Sequence, residues 1–245
     1  MRAVILAAGR GTRLEPLTLD LPKCLVHVGG VALIDRMIAR LGEAGIDSVV
    51  VVSGHAHDAL ERHLRASAHP LAKDAAIVFN ERYAEWGNFY SLLVAQDHLR
   101  DQDYVRLDGD VLLGPGVMSR VIAARAPLAL AIDTTVALGD EEMKARIDGQ
   151  GRVFELNKRI APVSAQGEFI GVDRVSATMA PAVFAALRRM IDQGETNEYY
   201  ERAYERLMEQ GVEVGVADVS GCVWCEIDDA ADLERATRIV ERGLA

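Results

Sequence analysis

The chain has 245 residues, 50% apolar and 26% charged, with 21 glycines and 7 prolines. That composition excludes a disordered, collagen-like or low-complexity polymer and predicts a globular chain long enough to bury a sizeable core. Twenty-seven basic against 37 acidic side chains leave a net charge of −10 without any long basic run, which argues against nucleic acid or an anionic membrane as partner. The apolar run Ala126 to Ile132 contains Pro127, and no run approaches the roughly 20 residues of a membrane helix. Ala3 to Ala8 is too short for a signal-peptide core, and a cytoplasmic protein is expected.

The unbroken apolar run Ala3 to Ala7 predicts a strand buried on both faces, and Ser48 to Val52 repeats its character. Between them Leu33-Ile34, Met37-Ile38 and Leu41 recur at helical spacing, and Gly45 marks the helix end. Next come a helix over Asp58 to Leu64, a strand over Ala76 to Phe79, a helix over Ser91 to Leu99, and a strand over Tyr104 to Leu107 that runs into Asp108-Gly109-Asp110. Leu128 to Ile132 reads as a strand, and Lys144 to Ile147 pairs with Val153 to Leu156 as a hairpin. Helices near Pro181 to Asp192 and Asn197 to Gln210, a strand near Val212 to Val216 and the Trp224 to Asp228 segment complete the chain. This alternation predicts an α/β fold, a mostly parallel mixed sheet flanked by helices, with ligands at the carboxyl ends of its strands. No internal repeat or Pro/Ser-rich linker interrupts it, so residues 1–245 are expected to form a single domain.

Three cysteines do not make a disulfide framework. Cys222 and Cys225 have the spacing of half a zinc site, but there is no second pair and the histidines are scattered, so packing is the expected role.

The stretch Leu6-Ala-Ala-Gly-Arg-Gly-Thr-Arg13-Leu14, continuing to Pro22-Lys23, carries the most information. Gly9 and Gly11 let backbone N–H groups approach phosphate oxygens, and Arg13 and Lys23 bring two cations to the same loop. A polyphosphate fits; the P-loop and the dinucleotide Gly-x-Gly-x-x-Gly patterns do not, because Leu14 stands where the last glycine belongs. A glycine-rich turn with solvated basic residues is the structural alternative.

Here the sequence resembles the sugar-nucleotidyltransferase superfamily, whose signature is Leu-x-Ala-Ala-Gly-x-Gly-x-Arg followed by Pro-Lys. It departs at Cys24 and Ala32, where prolines are common, and neither change removes a charge. The resemblance implies a Rossmann-like nucleotidyltransferase fold, with residues 1–124 as the nucleotide-binding half and 125–245 as the acceptor-binding half. It assigns nucleotide contacts to Leu6, Ala7, Ala8, Gly9, Gly11, Thr12 and Asp108, and catalytic cations to Arg13 and Lys23. Asp108 and Asp110 flank Gly109 where a carboxylate can meet the phosphates, and Mg²⁺ typically uses one or two carboxylates plus phosphate oxygens. Asp110 and the late Asp228 are the metal ligands the resemblance implies; a simple turn is the alternative for the first pair.

Asn88-Phe89-Tyr90-Ser91 looks like the subgroup that uses CTP with small phosphorylated amino alcohols. Asn88 is a candidate for the base or for a helix cap, with Ser91 beside it. Over the full length the similarity is greatest to bacterial phosphocholine and 2-aminoethylphosphonate cytidylyltransferases. A cationic acceptor favours aromatic and acidic walls, so Tyr199, Tyr200, Trp224, Glu198 and Glu226 are candidates, with Lys144 or Lys158 for the acceptor's phosphate or phosphonate. The expected partners are therefore CTP and such an acceptor, with no nucleic acid and no membrane, in an assembly for which a homodimer is one option. A sugar-1-phosphate or inositol-phosphate nucleotidyltransferase and a non-catalytic nucleotide-sensing module are the alternatives.

Overall fold

The computed structural model describes residues 1–245. In β1 (Arg2–Ala7), Ala3, Ile5 and Ala7 join one cluster of buried side chains while Val4 and Leu6 join another across the sheet. A strand covered on both faces needs no polar alternation, which is why its sequence is a continuous apolar run. The short pair β2 (His27–Val28) and β3 (Val31–Ala32) leads into α1 (Leu33–Glu43), which buries Leu33, Ile34, Met37, Ile38 and Leu41. β4 (Ser48–Ser53), α2 (His57–Ala66), α3 (Pro70–Lys73) and β5 (Ala76–Phe79) follow. The next helical stretch starts at Phe89 and is broken at Ala95 into α4 (Phe89–Val94) and α5 (Gln96–Leu99).

β6 (Tyr104–Asp108), β7 (Val111–Leu113), α6 (Val117–Ala123) and β8 (Leu128–Asp133) precede the expected hairpin, β9 (Lys144–Ile147) with β10 (Arg152–Asn157). Then come β11 (Gly167–Val175), α7 (Ala180–Asp192), α8 (Glu201–Glu209), β12 (Val214–Asp218), β13 (Trp224–Glu226) and α9 (Ala230–Glu241). The helix expected from Asn197 begins only at Glu201, and residues before it form a loop with a use described below.

Nine strands form one mixed sheet in the order β5-β4-β1-β6-β11-β8-β12-β10-β9. β5, β4, β1 and β6 are parallel; β11 enters antiparallel between β6 and β8; β12 is parallel to β8, and β10 and β9 close the far edge antiparallel. A separate pair, β7 with β13, lies beside the sheet and draws the chain's last strand toward the carboxyl end of β6. No helix is long and apolar enough to cross a membrane.

Candidate active site

Three tight turns converge at the carboxyl ends of β1 and β6. After β1, Gly11 adopts φ 62°, and a Cβ there would meet Lys23 Cβ at 3.1 Å, so only glycine lets the loop fold down over the Lys23 turn. The 3₁₀ turns Thr12–Leu14 and Lys23–Leu25 then carry Arg13 and Lys23. After β6, the Gly109 N–H donates to Leu6 O at 3.0 Å, and a Cβ there would lie 2.6 Å from that oxygen. The glycine between the two aspartates thus presses their turn onto the end of β1. The third element is β13: Glu226 pairs with Val111, and the Ile227 N–H donates to Asp110 O at 3.0 Å. Asp228 lies immediately before α9, which Asp229 caps by accepting from Ala231 and Asp232, and Asp232 in turn accepts from the Asp228 N–H at 2.9 Å.

This packing brings Asp110, Glu226 and Asp228 together with carboxylate oxygens within 4.8 Å of one another. Lys23 Nζ sits between two of them, 2.9 Å from Asp110 Oδ2 and 2.5 Å from Asp228 Oδ1, and Arg13 Nη2 lies 2.7 Å from Asp228 Oδ2. Burial works against charge on Lys23, but Asp110 and Asp228 outweigh it and raise its pKa, so the ammonium stays protonated. Burial likewise opposes ionisation of Asp228, yet Lys23 and Arg13 hold its carboxyl below the usual range. Glu226 goes the other way: burial, then Asp110 and Asp228, push it upward. Asp110 Oδ1 is buried with no hydrogen-bond partner. A hard-oxygen donor set with an orphaned lone pair fits a divalent cation such as Mg²⁺.

The cleft of about 290 Å³ above this cluster is walled by β11 and by the loop before α8. Arg106 of β6, fully buried, forms ion pairs with Asp173 and Asp108, and its guanidinium stacks 3.7 Å above the Tyr200 ring. Tyr200 Oη donates to Asp108 Oδ2 at 2.7 Å, so both Asp108 oxygens are engaged by protein groups. Gly171, at φ 70°, makes room for that aspartate, since a Cβ would come 2.5 Å from Asp108 Oδ2. Burial raises the Asp108 pKa against the pull of Arg106. Gly87 admits the loop before α8: its N–H donates to Thr196 O at 2.7 Å, and a Cβ would fall 1.9 Å from Glu198 O.

Of the residues singled out from sequence, Leu6, Ala7, Ala8, Gly9, Arg13, Lys23, Asn88, Ser91, Asp108, Asp110, Lys158, Glu226 and Asp228 line the cleft. Six do not. Gly11 and Thr12 shape the loop from outside it: Gly11 O accepts from Thr18 Oγ1 at 2.7 Å, and Thr12 is exposed. Lys144 is buried, its ammonium donating to the carbonyls of Asp140 and Glu142 at 2.9 and 3.1 Å, so it is withdrawn from a phosphate. Glu198 projects into solvent while its carbonyl packs on Gly87, and Tyr200 is buried beneath the cleft. Trp224 faces an adjoining space. Asn88 does not cap α4; its Oδ1 accepts from the Tyr200 N–H at 3.0 Å. Of the two expected tyrosines it is Tyr199 that lines the cleft, half exposed, with Lys158 Nζ 5.8 Å from its ring centroid.

Sequence reading missed Glu201, which lines the cleft nine-tenths buried with Oε2 unpartnered. Burial, then Asp108, push its pKa upward against Arg106. Its position just after Tyr199-Tyr200, at the start of an amphipathic helix, looks in sequence like an ordinary first-turn acid. The cysteines are free, and Cys24 and Cys225 are buried, in keeping with packing.

The curated relatives and solved structures point the same way. The chain is 28% identical to the CTP:phosphoglutamine cytidylyltransferase of Campylobacter jejuni, over 96% of this chain and 98% of that protein. It is 30% identical to the CMP-5'-(3-aminopropyl)phosphonate synthase of Streptomyces rubellomurinus over 96% of its own length, but spans only 38% of that longer protein. The CTP:phosphocholine cytidylyltransferase of Streptococcus pneumoniae shares the fold, with a TM-score of 0.80 at 24% identity over 98% of both chains. The model of the MobA-like NTP transferase domain matches residues 3–203, and the chain belongs to that family of nucleotidyltransferases.

Proposed function

We propose that this protein is a Mg²⁺-dependent cytidylyltransferase that moves CMP from CTP to a small aminoalkyl phosphonate or phosphate and releases pyrophosphate. The observation that carries the reading is the convergence of Lys23 and Arg13 on the Asp110–Asp228 pair beside the glycine loop. Asp110 and Asp228, with Glu226 beside them, would hold the metal, which when bound neutralises triphosphate charge and the departing pyrophosphate. An acceptor oxygen attacks the α-phosphorus in line, and no covalent enzyme intermediate is needed. Lys23, held protonated, faces the α-phosphate, and Arg13, more exposed, meets the leaving pyrophosphate. The Asn88 side chain, with Oδ1 anchored to Tyr200, offers its NH₂ to the acceptor edge of cytosine.

For the acceptor, Lys158 supplies a cation for the phosphorus end with the Tyr199 ring beside it, and the acidic wall that the cleft shares with the adjoining space, Glu141 among it, suits an ammonium end. The names of the Campylobacter and Streptomyces relatives support a cytidylyl donor and a phosphorylated or phosphonate acceptor. The test is pyrophosphate release with CTP and Mg²⁺ against 2-aminoethylphosphonate, phosphoethanolamine, phosphocholine, inositol 1-phosphate and glucose 1-phosphate. An aminoalkyl acceptor should lead by at least about tenfold in kcat/KM. A lead by inositol or glucose 1-phosphate replaces the acceptor assignment, and no turnover with any NTP favours a nucleotide-sensing role.

A further inference from the structure

Next to the cleft lies a second chamber of about 560 Å³, and Arg13, Glu141, Lys158, Glu226 and Asp228 line both spaces. Its wall includes Glu168 of β11, which is only 7% exposed. The neighbours of Glu168 are already engaged. Lys144, directly opposite in register on β9, donates to the carbonyls of Asp140 and Glu142. Glu142 Oε2 accepts from the Gly139 N–H at 2.8 Å, Asp133 Oδ1 accepts from the Thr135 N–H and hydroxyl, and Arg235 pairs with Asp232 at 3.0 Å. Glu168 alone among these has neither a hydrogen bond nor an ion pair within reach. On another wall, Trp224 is fixed by its indole N–H, which donates to Asp133 Oδ2 at 2.9 Å.

A carboxylate that is mostly withdrawn from water, open only to the chamber and without a protein partner, is costly to ionise, and the cost falls when a cation enters the chamber. An indole face adds attraction for the same cation. Glu141 and Lys158 stand on the wall common to the cleft and the chamber, so a short acceptor with its phosphorus group beside Lys158 has its other end toward the chamber. We propose that the side chamber receives the ammonium end of the acceptor, with the Glu168 carboxylate as its ion partner and the Trp224 ring as its wall. This assignment rests on the aminoalkyl reading above and adds a specificity residue, Glu168, that lies outside the nucleotide and metal machinery.

The test compares 2-aminoethylphosphonate with propylphosphonate, in which a methyl group replaces the ammonium, using wild type, Glu168→Gln and Trp224→Leu with CTP and Mg²⁺. In wild type the amino acceptor leads. In Glu168→Gln the ratio of kcat/KM for the two acceptors should fall about tenfold or more, through KM for the amino acceptor, with a smaller fall in Trp224→Leu. A Glu168→Gln ratio equal to wild type overturns the proposal while leaving the aminoalkyl reading intact. If wild type itself shows no preference for the amino acceptor, the aminoalkyl reading fails and the proposal with it. Should Glu168→Gln show no cooperative melting, the Trp224→Leu ratio decides: unchanged, it overturns the proposal, and reduced, it supports it.

Discussion

Glu168 also makes a prediction about stability that needs no substrate. Burial, then Glu142 and Asp133, push its carboxyl from the ordinary value of 4.5 up to about 7, against the opposing pull of Lys144 and Arg235. Between those two pH values the folded protein holds a proton that the unfolded chain releases, so stability falls as pH rises through that window and is level above it. Moving a carboxyl that far corresponds to about 3 kcal/mol, at roughly 1.4 kcal/mol per tenfold change in proton affinity. Glu168→Gln keeps the shape and removes the charge, so it should match wild type near pH 4.5 and be more stable by up to about 3 kcal/mol at pH 8. For a chain of this length that is roughly 6 to 12 °C in Tm. Urea unfolding across pH 4.5 to 8.5, extrapolated to water, reads the difference. Two curves that run parallel at every pH would refute the reasoning, because they would mean that the carboxylate already has a partner in the fold.

Three other outcomes follow from the site's geometry. Lys23→Ala should lower kcat by about a hundredfold or more. By leaving Asp110 and Asp228 facing each other, it should also lower stability in EDTA by roughly 1 to 3 kcal/mol, a loss that added Mg²⁺ recovers in a thermal melt. Asp110→Ala and Asp228→Ala should each abolish Mg²⁺-dependent pyrophosphate release while retaining a cooperative melt, and near-wild-type turnover in either removes that residue from the metal assignment. Gly87→Ala would set a methyl 1.9 Å from Glu198 O, so it should cost about 2 kcal/mol and raise the CTP KM through displacement of Asn88, measured by melting and CTP titration.

The first half of the chain was legible because its physics is local. β1 and β4 are apolar runs buried on both faces, α1 shows its buried stripe in the spacing from Leu33 to Leu41, and the loop motif lies on consecutive residues. The second half was less legible because its geometry depends on partners distant in sequence. Gly87 is a glycine only because Glu198 arrives above it, and Lys144 looks like a free strand cation until the carbonyls of Asp140 and Glu142 close around its ammonium. Glu226 was read as an acceptor wall, and nothing local says that the β7–β13 pairing sets it beside Asp110 and Asp228. α9 went unassigned although Asp229 and Asp232 form a capping box at its N-terminus, a signal readable in the sequence.

The strand hardest to read, β11, explains its own concealment. Gly167 to Val175 carries Glu168, Asp173 and Arg174 in a segment that is almost entirely buried, so it follows neither the apolar run of a covered strand nor the alternation of a half-exposed one. Those charges have specific partners: Asp173 stands directly opposite Arg106 of β6, and the two form a fully buried ion pair that Tyr204 Oη also joins at 3.1 Å. A buried pair of this kind adds little stability over apolar residues of the same size, but a slip of one residue would leave both charges unpaired, so it fixes register. Register matters here because the bulge just before Asp173, with Gly171 at φ 70°, must fall beside Asp108 while Phe169 and Ile170 line the cleft. Arg106 then reaches from that pair to Asp108 and lies across Tyr200, tying β6, β11 and the start of α8 into one rigid floor. The polar residues that hide the strand from a hydrophobic pattern are therefore what hold the β6 and β11 walls of the cleft together with the loop before α8.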